Sequence, residues 1–317
     1  MHNYHRLLSD IMEQGEDQFN ERTGEWCRVI VGTQLTYDLS AGFPAITTKK
    51  LAFKGVVGEL LGFFRGYTSA ADFRALGCNV WNDDANKNAG WLKNSNRGGE
   101  DHLGRIYGAQ WTGWRAYRLA TKDYAPKMEA EGWRKVLSND LGSTMVKEIN
   151  QLENSLKLLL TDPSNRRNIV SGWNVGELDM MALPPCHMDY RFVALNEKLH
   201  VVMTIRSWDC FLGAPFNIAS TSLFLAIMAR LSGFTPGTVT IQATNAHIYH
   251  NHFNQVLEQL TRTHFEAPQL VLSDDIKRVK FVEDIPGVFT RIEPEHIQLS
   301  GYESHEAIKA PMAVGVK

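Results

Sequence analysis

Apolar side chains recur at helical spacing along several stretches of the chain, and this pattern predicts its helices. The stretch over 53–65 is apolar on most sides and carries one charge in its middle, Glu59, which indicates a buried helix. The stretch over 146–161 is amphipathic and ends at Asp162-Pro163, because proline cannot continue a helix. The helices predicted in this way span 4–18, 53–65, 146–161, 217–232 and 246–262.

Short runs rich in β-branched and aromatic residues predict the strands. They interleave with the helices but show no regular strand–helix–strand rhythm, so the pattern indicates an α+β fold around a mixed sheet rather than a doubly wound one. The strands predicted in this way span 26–37, 168–173, 188–195, 199–206 and 238–243.

Two segments interrupt this pattern. Residues 86–103 are polar and rich in glycine and asparagine, which is typical of a loop, and 115–145 mix charged and small residues without a clear period. We expect the second segment to pack lightly on the surface. Because the chain contains no repeat or linker, we predict one catalytic domain over 1–317 with these two inserted excursions.

Charge and cysteine content narrow the class of protein. With 33 basic and 35 acidic residues the net charge is −2, so no global basic excess attracts nucleic acid or an anionic membrane, and a bound phosphate must be held by local arginines. The N-terminus lacks the apolar run of a signal peptide, and the longest strongly apolar stretch, 223–229, is too short to span a bilayer. The four cysteines form no CxxC pair, so zinc and disulfides are not indicated and a cytoplasmic protein is expected.

The segment ALPPCHMDY contains the candidate nucleophile. Two prolines precede Cys186 and restrict its backbone. A lone cysteine is often a buried core residue, whereas a reactive thiolate needs nearby cations that lower its pKa. Arg166, Arg167 and Arg206 are candidates for that role, and a cluster of arginines would also bind phosphate.

Several motifs in this order resemble the thymidylate synthase family over nearly the whole chain. The resemblance implies a three-layer α+β fold with a mixed sheet and buried helices, and an obligate homodimer. The motifs are ERTG at 21–24, GFPAITTKK at 42–50, GELLGFFRG at 58–66, GRIYGAQW at 104–111, DPSNRRNIVSGWNVGELDMMALPPCH at 162–187, RSWDCFLGAPFNIAS at 206–220, HIYHNH at 247–252 and GYESHEAIKAPMAV at 301–314.

The resemblance also implies the chemistry. The Cys186 thiolate adds to carbon 6 of dUMP, which makes carbon 5 nucleophilic toward a one-carbon unit from 5,10-methylenetetrahydrofolate. Glu59, Tyr107 and His187 match residues that organise the proton transfers through water, and no metal is expected. Taken alone, Glu59 is also compatible with a helix residue facing a loop, and His187 with a packing residue.

The remaining site residues fall into two groups, which the resemblance assigns to the nucleotide and to the folate. Asn217 matches the amide that reads uracil, where deoxycytidylate hydroxymethylases carry aspartate, although it could instead cap the helix at 218–232. The resemblance implies that Arg166 and Arg167 reach across from the other subunit. Judged without the resemblance, they could equally be arginines in surface ion pairs. The nucleotide group is Arg22, Arg166, Arg167, Arg206, Ser207, Asn217, His247 and Tyr249, and the folate group is Trp81, Asp209, Lys49 and Lys50.

The chain departs from the synthase pattern mainly on the folate side. Where synthases read WDEWA, residues 81–85 read WNDDA, so Asp84 replaces a tryptophan that lies against folate. Ile205 replaces a glutamine, and the tail continues past Val314. These departures favour a dUMP hydroxymethylase, in which Asp84 admits and positions water, making 5-hydroxymethyl-dUMP as in bacteriophage DNA modification.

Two alternatives stay open at this point. In an ordinary thymidylate synthase that has diverged, Trp91 could supply a substitute wall, and the products would be dTMP and dihydrofolate. A catalytically silent homologue that binds a nucleotide or RNA is the other alternative. The joint presence of Cys186, Glu59, Tyr107 and Asn217, together with the near-neutral charge, argues against it and against nucleic acid as a partner.

Overall fold

The computed structural model describes residues 1–315. Ten α-helices lie in this range, several of them a single turn or two, and 3₁₀ turns lie between them. The helices are α1 His2–Gln14, α2 Phe53–Phe64, α3 Ala70–Ala75, α4 Asn82–Asn86, α5 Ala89–Leu92, α6 Tyr107–Gly113, α7 Ala125–Ala130, α8 Gln151–Thr161, α9 Gly213–Ser232 and α10 Phe253–Leu260.

Twelve strands lie in the same range and form three separate sheets. They are β1 Glu16–Asn20, β2 Glu25–Asp38, β3 Trp114–Ala120, β4 Arg134–Asn139, β5 Gly142–Ile149, β6 Ile169–Ser171, β7 His187–Leu195, β8 Lys198–Ile205, β9 Trp208–Asp209, β10 Thr235–Tyr249, β11 Gln269–Leu272 and β12 Ile297–Ser300.

The main sheet has the order β1-β2-β10-β8-β7-β6, with β9 paired to β10. β10 is parallel to β8 and β9, and the other pairs are antiparallel, so the sheet is mixed. The predicted α+β class is therefore confirmed. Parallel pairing of β8 and β10 requires a crossover, which α9 supplies.

Helix α9 forms the centre of the core. It is apolar on nearly all sides and contacts α2, α8, β8 and β10, which is how a helix without a polar face becomes buried. It ends at Gly233, whose φ of 85° is the left-handed conformation that glycine tolerates best. Within residues 1–315, α9 is the one helix long and apolar enough to cross a membrane by length and composition, but most of it is buried inside the protein.

Several helix boundaries differ from the prediction, and α9 begins at Gly213 rather than at residue 217. The opening helix ends at Gln14, and residues 16–20 form β1. The helix predicted from residue 146 begins at Gln151, because Val146–Ile149 pair with β3 and complete β5. The helix predicted over 246–262 is wrong in its first part, since 246–249 end strand β10 and α10 begins only at Phe253.

The segment at 115–145 has more structure than its sequence pattern indicated. Strands β3, β5 and β4 form an antiparallel sheet with β5 in the middle, and α7 packs on it. Every residue of β4 is exposed, so no alternation marks it as a strand. A small core of its own stabilises this sheet, formed by Ala120, Ala125, Met128, Trp133 and Met145. The other excursion is mainly loop and contains the short helix α5.

Candidate active site

One cleft gathers side chains from six parts of the chain: α2, the α4 region, the start of α6, the segment before β7, the segment between β8 and α9, and the C-terminal tail. The candidate nucleophile lies in it. The lining residues are Glu59, Phe63, Val80, Trp81, Asp84, Tyr107, Leu183, Cys186, His187, Ser207, Asp209, Leu212, Gly213, Phe216, Asn217 and Met312.

Arg206 holds the turn that presents Cys186. Its Nε donates to the carbonyl of Pro185 at 2.9 Å, and a terminal nitrogen donates to the carbonyl of Pro184 at 2.8 Å. The Arg206 backbone nitrogen also donates to the Cys186 carbonyl at 3.0 Å. The guanidinium therefore places its charge beside the thiol while fixing the backbone that carries it.

Opposing effects act on the Cys186 thiol. Burial raises its pKa above the usual value, and the Asp84 carboxylate adds to that rise. The charges of Arg206 and Arg22 and a hydrogen bond with Tyr107 lower the pKa. An anionic group bound between these arginines would change this balance, so the thiol's reactivity depends on what fills the cleft.

Glu59 lies fully inside helix α2 and faces the cleft. Its Oε1 accepts a hydrogen bond from the Trp81 indole nitrogen at 3.1 Å. Burial raises the pKa of Glu59 to about 8, and the Trp81 bond opposes the rise. A carboxyl group with this pKa is protonated at neutral pH and can both donate and accept protons. The alternative that Glu59 merely faces a loop does not fit this position.

His187 and Asn217 line the same cleft, and their side chains form a hydrogen bond. The Tyr190 hydroxyl is 2.9 Å from His187 Nδ1. Burial lowers the pKa of His187 to about 4, and the hydrogen bond with the Asn217 side chain partly opposes this shift. His187 is therefore neutral near pH 7. Asn217 lies within α9, whose N-cap is Leu212, so the alternative that Asn217 caps the helix is wrong.

Residues from the end of β10 extend the site toward Arg22. His247 and Tyr249 pack edge to face at 5.1 Å. Burial lowers the pKa of His247 and raises that of Tyr249 to about 12, and the charges of Asp209 and Arg22 act on both groups. Asp209 Oδ1 accepts hydrogen bonds from the backbone nitrogens of Phe211 at 2.9 Å and of Leu212 at 3.1 Å. These bonds hold the Asp209 carboxylate rigidly at the cleft.

The departures at Asp84 and Ile205 lie in different places. Asp84 lines the cleft, and burial raises its pKa to about 6. Ile205 is only 1% exposed and belongs to the hydrophobic core. Trp91 also packs in the core, where its indole nitrogen donates to the His102 carbonyl at 2.6 Å, so it supplies no substitute wall.

The tail folds back onto the cleft. Met312 lines it, the Pro311 carbonyl accepts a hydrogen bond from His252 Nε2 at 2.7 Å, and the Gly315 carbonyl accepts one from the Ala89 nitrogen at 3.2 Å. The extension past Val314 is thus described only as far as Gly315, and residues 316–317 lie outside the described range.

The basic residues expected at the folate tail and the phosphate are placed differently. Lys49 is buried, and its Nζ donates to the Phe211 carbonyl at 2.5 Å and lies over that ring. This corrects the expectation for Lys49, because a buried ammonium bonded to backbone is not presented to a folate tail. Lys50 is exposed. Arg166 and Arg167 are exposed on the loop between α8 and β6, away from the cleft lining.

Sequence reasoning missed the apolar part of the lining. Apolar spacing alone marks these residues as ordinary core or tail positions, and the available signal was that all of them except Val80 lie inside the motifs already noted. They are Phe63, Val80, Leu183, Leu212, Phe216 and Met312. Among residues 1–315, no group of three or more histidine, cysteine or acidic side chains could hold a metal ion.

The thiol beside arginine charges, the buried carboxyl group and the amide in one cleft are the groups that an enzyme using covalent nucleophilic catalysis needs. A family model described as thymidylate synthase matches residues 2–314. The chain is 41% identical over 324 residues to the thymidylate synthase of Pseudomonas syringae pv. tomato, covering 99% of this chain and 100% of that protein. It is 41% identical over 326 residues to the one from Pseudomonas putida, and 34% identical over 316 residues to the one from Pseudoalteromonas translucida, with the same shares covered.

The chain therefore belongs to the thymidylate synthase family. It is a one-carbon transferase that acts on carbon 5 of dUMP with 5,10-methylenetetrahydrofolate as co-substrate.

Proposed function

We propose that the product is dTMP, with dihydrofolate released, so that the chain acts as a thymidylate synthase. The proposal replaces the hydroxymethylase favoured by the sequence. The observation that carries it is the position of the tail: Met312 lines the cleft and Gly315 is bonded to Ala89. The tail is thus in position to close over the folate, and closure excludes water, which a synthase requires so that hydride reaches the one-carbon unit first.

The nucleotide end of the site supports covalent activation of dUMP. Arg22, Arg206 and Ser207 are the groups we assign to the phosphate, with Arg206 also bonded to the turn before Cys186. A phosphate held there brings carbon 6 of the uracil ring to the thiol. Cys186 Sγ then forms a bond to carbon 6, and electron density moves to carbon 5.

Glu59, Tyr107 and His187 serve the proton transfers in this proposal. The protonated Glu59 carboxyl can exchange a proton with water near the uracil carbonyl, and neutral His187 with Asn217 orients that side of the ring. Asp209, which is rigidly held at the cleft, is the group we assign to the pterin ring. Bound methylenetetrahydrofolate supplies the one-carbon unit and, in a synthase, the hydride.

Two of the three departures that favoured a hydroxymethylase no longer support it. Ile205 is a core residue and does not line the cleft. The tail is folded onto the site as far as it is described. The relatives at 41% identity carry the name thymidylate synthase, which supports the same product.

Asp84 keeps the hydroxymethylase as a second candidate, because it places a carboxylate where water could be bound. The product decides between the two. We expect turnover of dUMP to give dTMP with an equal amount of dihydrofolate, which is measured by its absorbance. In labelled water, mass spectrometry should find no labelled oxygen incorporated into the nucleotide. Formation of 5-hydroxymethyl-dUMP with tetrahydrofolate would establish the hydroxymethylase and overturn the proposal.

We further propose a cytoplasmic homodimer in which Arg166 and Arg167 complete the phosphate site of the partner. Their exposure outside the cleft of their own chain supports this arrangement. Apolar side chains exposed on nearby strands, including Ile169, Val193 and Leu195, also favour a buried face there.

A further inference from the structure

Asp84 is a carboxylate in the cleft whose only opposite charge, within the described residues, is the more distant Arg22. Among residues 1–315 no hydrogen bond or salt bridge engages its oxygens, although it lines the cleft. Asp84 is half-buried, and a partly desolvated carboxylate without a donor favours either a ligand or a proton.

The other charges near α4 are already engaged. Lys87 pairs with Asp83 at 2.9 Å, and Arg74 pairs with Asp101 at 2.6 Å. Arg97 donates to the carbonyl of Ala85. These cations therefore leave Asp84 unneutralised.

Arg22 is the cation whose charge acts on Asp84. It is exposed, forms no salt bridge within the described range, and its charge opposes the effect of burial, which raises the pKa of Asp84 to about 6. The like charge of Asp83 adds to the rise. The Cys186 thiol is influenced by both Asp84 and Arg22. The other titratable groups that line the cleft with Asp84 are Glu59, Tyr107, His187 and Asp209.

Nucleotide binding changes the charges that determine whether Asp84 is protonated. If the phosphate pairs with Arg22, the charge that keeps Asp84 ionised is neutralised, and the phosphate adds negative charge of its own. We propose that Asp84 takes up a proton when dUMP binds, so that the folate-facing wall carries an uncharged hydrogen-bond donor before the second substrate enters.

This inference rests on the proposed nucleotide site and deepens it. A protonated carboxyl group cannot act as the base that activates water. Protonated Asp84 is therefore compatible with an enzyme that forms dTMP. The carboxylate would then be a means of coupling the two binding steps rather than a sign of hydroxymethylation.

The proton uptake is measured by titrating the wild-type enzyme with dUMP at pH 7 in buffers of different ionisation enthalpy. We expect Asp84→Asn to take up roughly half a proton per site less than wild type, because its amide cannot titrate. The phosphate exchanges protons as well, since its second pKa is about 6. That contribution is subtracted after the phosphorus resonance of bound dUMP has been followed against pH in each protein, because coupled groups titrate together.

Asp123→Asn is the control, at an exposed position outside the cleft, and it should keep the wild-type uptake. Infrared difference spectra of wild type with isotope-labelled aspartate give an independent test that needs no variant: dUMP should produce a band from a protonated carboxyl group. Equal uptake in wild type and Asp84→Asn, or no such band, would overturn the inference. Absence of dUMP binding to wild type would instead count against the proposed function.

Discussion

The hydroxyl oxygen of Tyr107 lies 2.6 Å from the backbone nitrogen of Cys186 and accepts its hydrogen bond. Tyr107 is the first residue of α6 and stacks on Phe63 of α2 at 4.9 Å. Two core helices thus determine where the backbone of the nucleophile lies, and the position of the thiol does not depend on a flexible loop.

Tyr107→Phe removes the acceptor of this bond and keeps the ring packing. Leaving a buried donor unpaired costs about 1–3 kcal/mol, so we expect kcat to fall by roughly ten- to a hundredfold. The rate of Cys186 alkylation should change in parallel. Tyr117→Phe, at an exposed position of β3, is the control and should behave like wild type. An unchanged kcat in Tyr107→Phe would contradict the role given to this bond.

Glu59→Gln tests the buried carboxyl group through stability. Native Glu59 holds its proton up to about pH 8, whereas the unfolded chain releases it near the ordinary value of 4.5. The native state therefore binds more protons, and wild type should lose stability as pH rises through this window, on the order of a few kcal/mol. Unfolding by urea at several pH values should show a flatter profile for Glu59→Gln. The exposed Glu16→Gln should retain the wild-type slope, and equal slopes for all three proteins would refute the assignment.

Asn217→Asp tests base recognition. An acid group can present the donor and acceptor pattern that cytosine needs in place of the one for uracil. We expect kcat/KM for dUMP to fall by about a hundredfold and the ratio of dCMP to dUMP turnover to rise, since an unpaired polar group in a binding site costs about 1–3 kcal/mol. Asn154→Asp, at an exposed position of α8, serves as the control. A wild type that already prefers dCMP would invalidate the prediction.

Mixed subunits test both the nucleophile and the shared phosphate site. Cys186→Ser should bind dUMP without turnover, because an alcohol is too weakly acidic to add to carbon 6. The double variant Arg166→Ala, Arg167→Ala should also be inactive. If the arginines act across the interface, a mixture exchanged at equal concentrations should regain about a quarter of wild-type activity, as each heterodimer holds one complete site. No recovery from a mixture shown to contain heterodimers would place the arginines elsewhere.

The sequence by itself determined the class of fold and the identity of the reacting groups. Apolar spacing predicted α2 and α9 because the burial of a helix is recorded in its own residues. The motifs around Cys186, Glu59 and Asn217 indicated the chemistry, and the structure brings these side chains to one cleft.

What only the tertiary structure decided depends on contacts between distant parts of the chain. Residues 246–249 have helical spacing, yet they pair with β2 and β9, and those hydrogen bonds outweigh local preference. The departures at Ile205 and Asp84 look equivalent in the sequence, but the first belongs to the core and the second to the cleft. The direction in which a side chain points, and what neutralises its charge, are set by packing that no local pattern records.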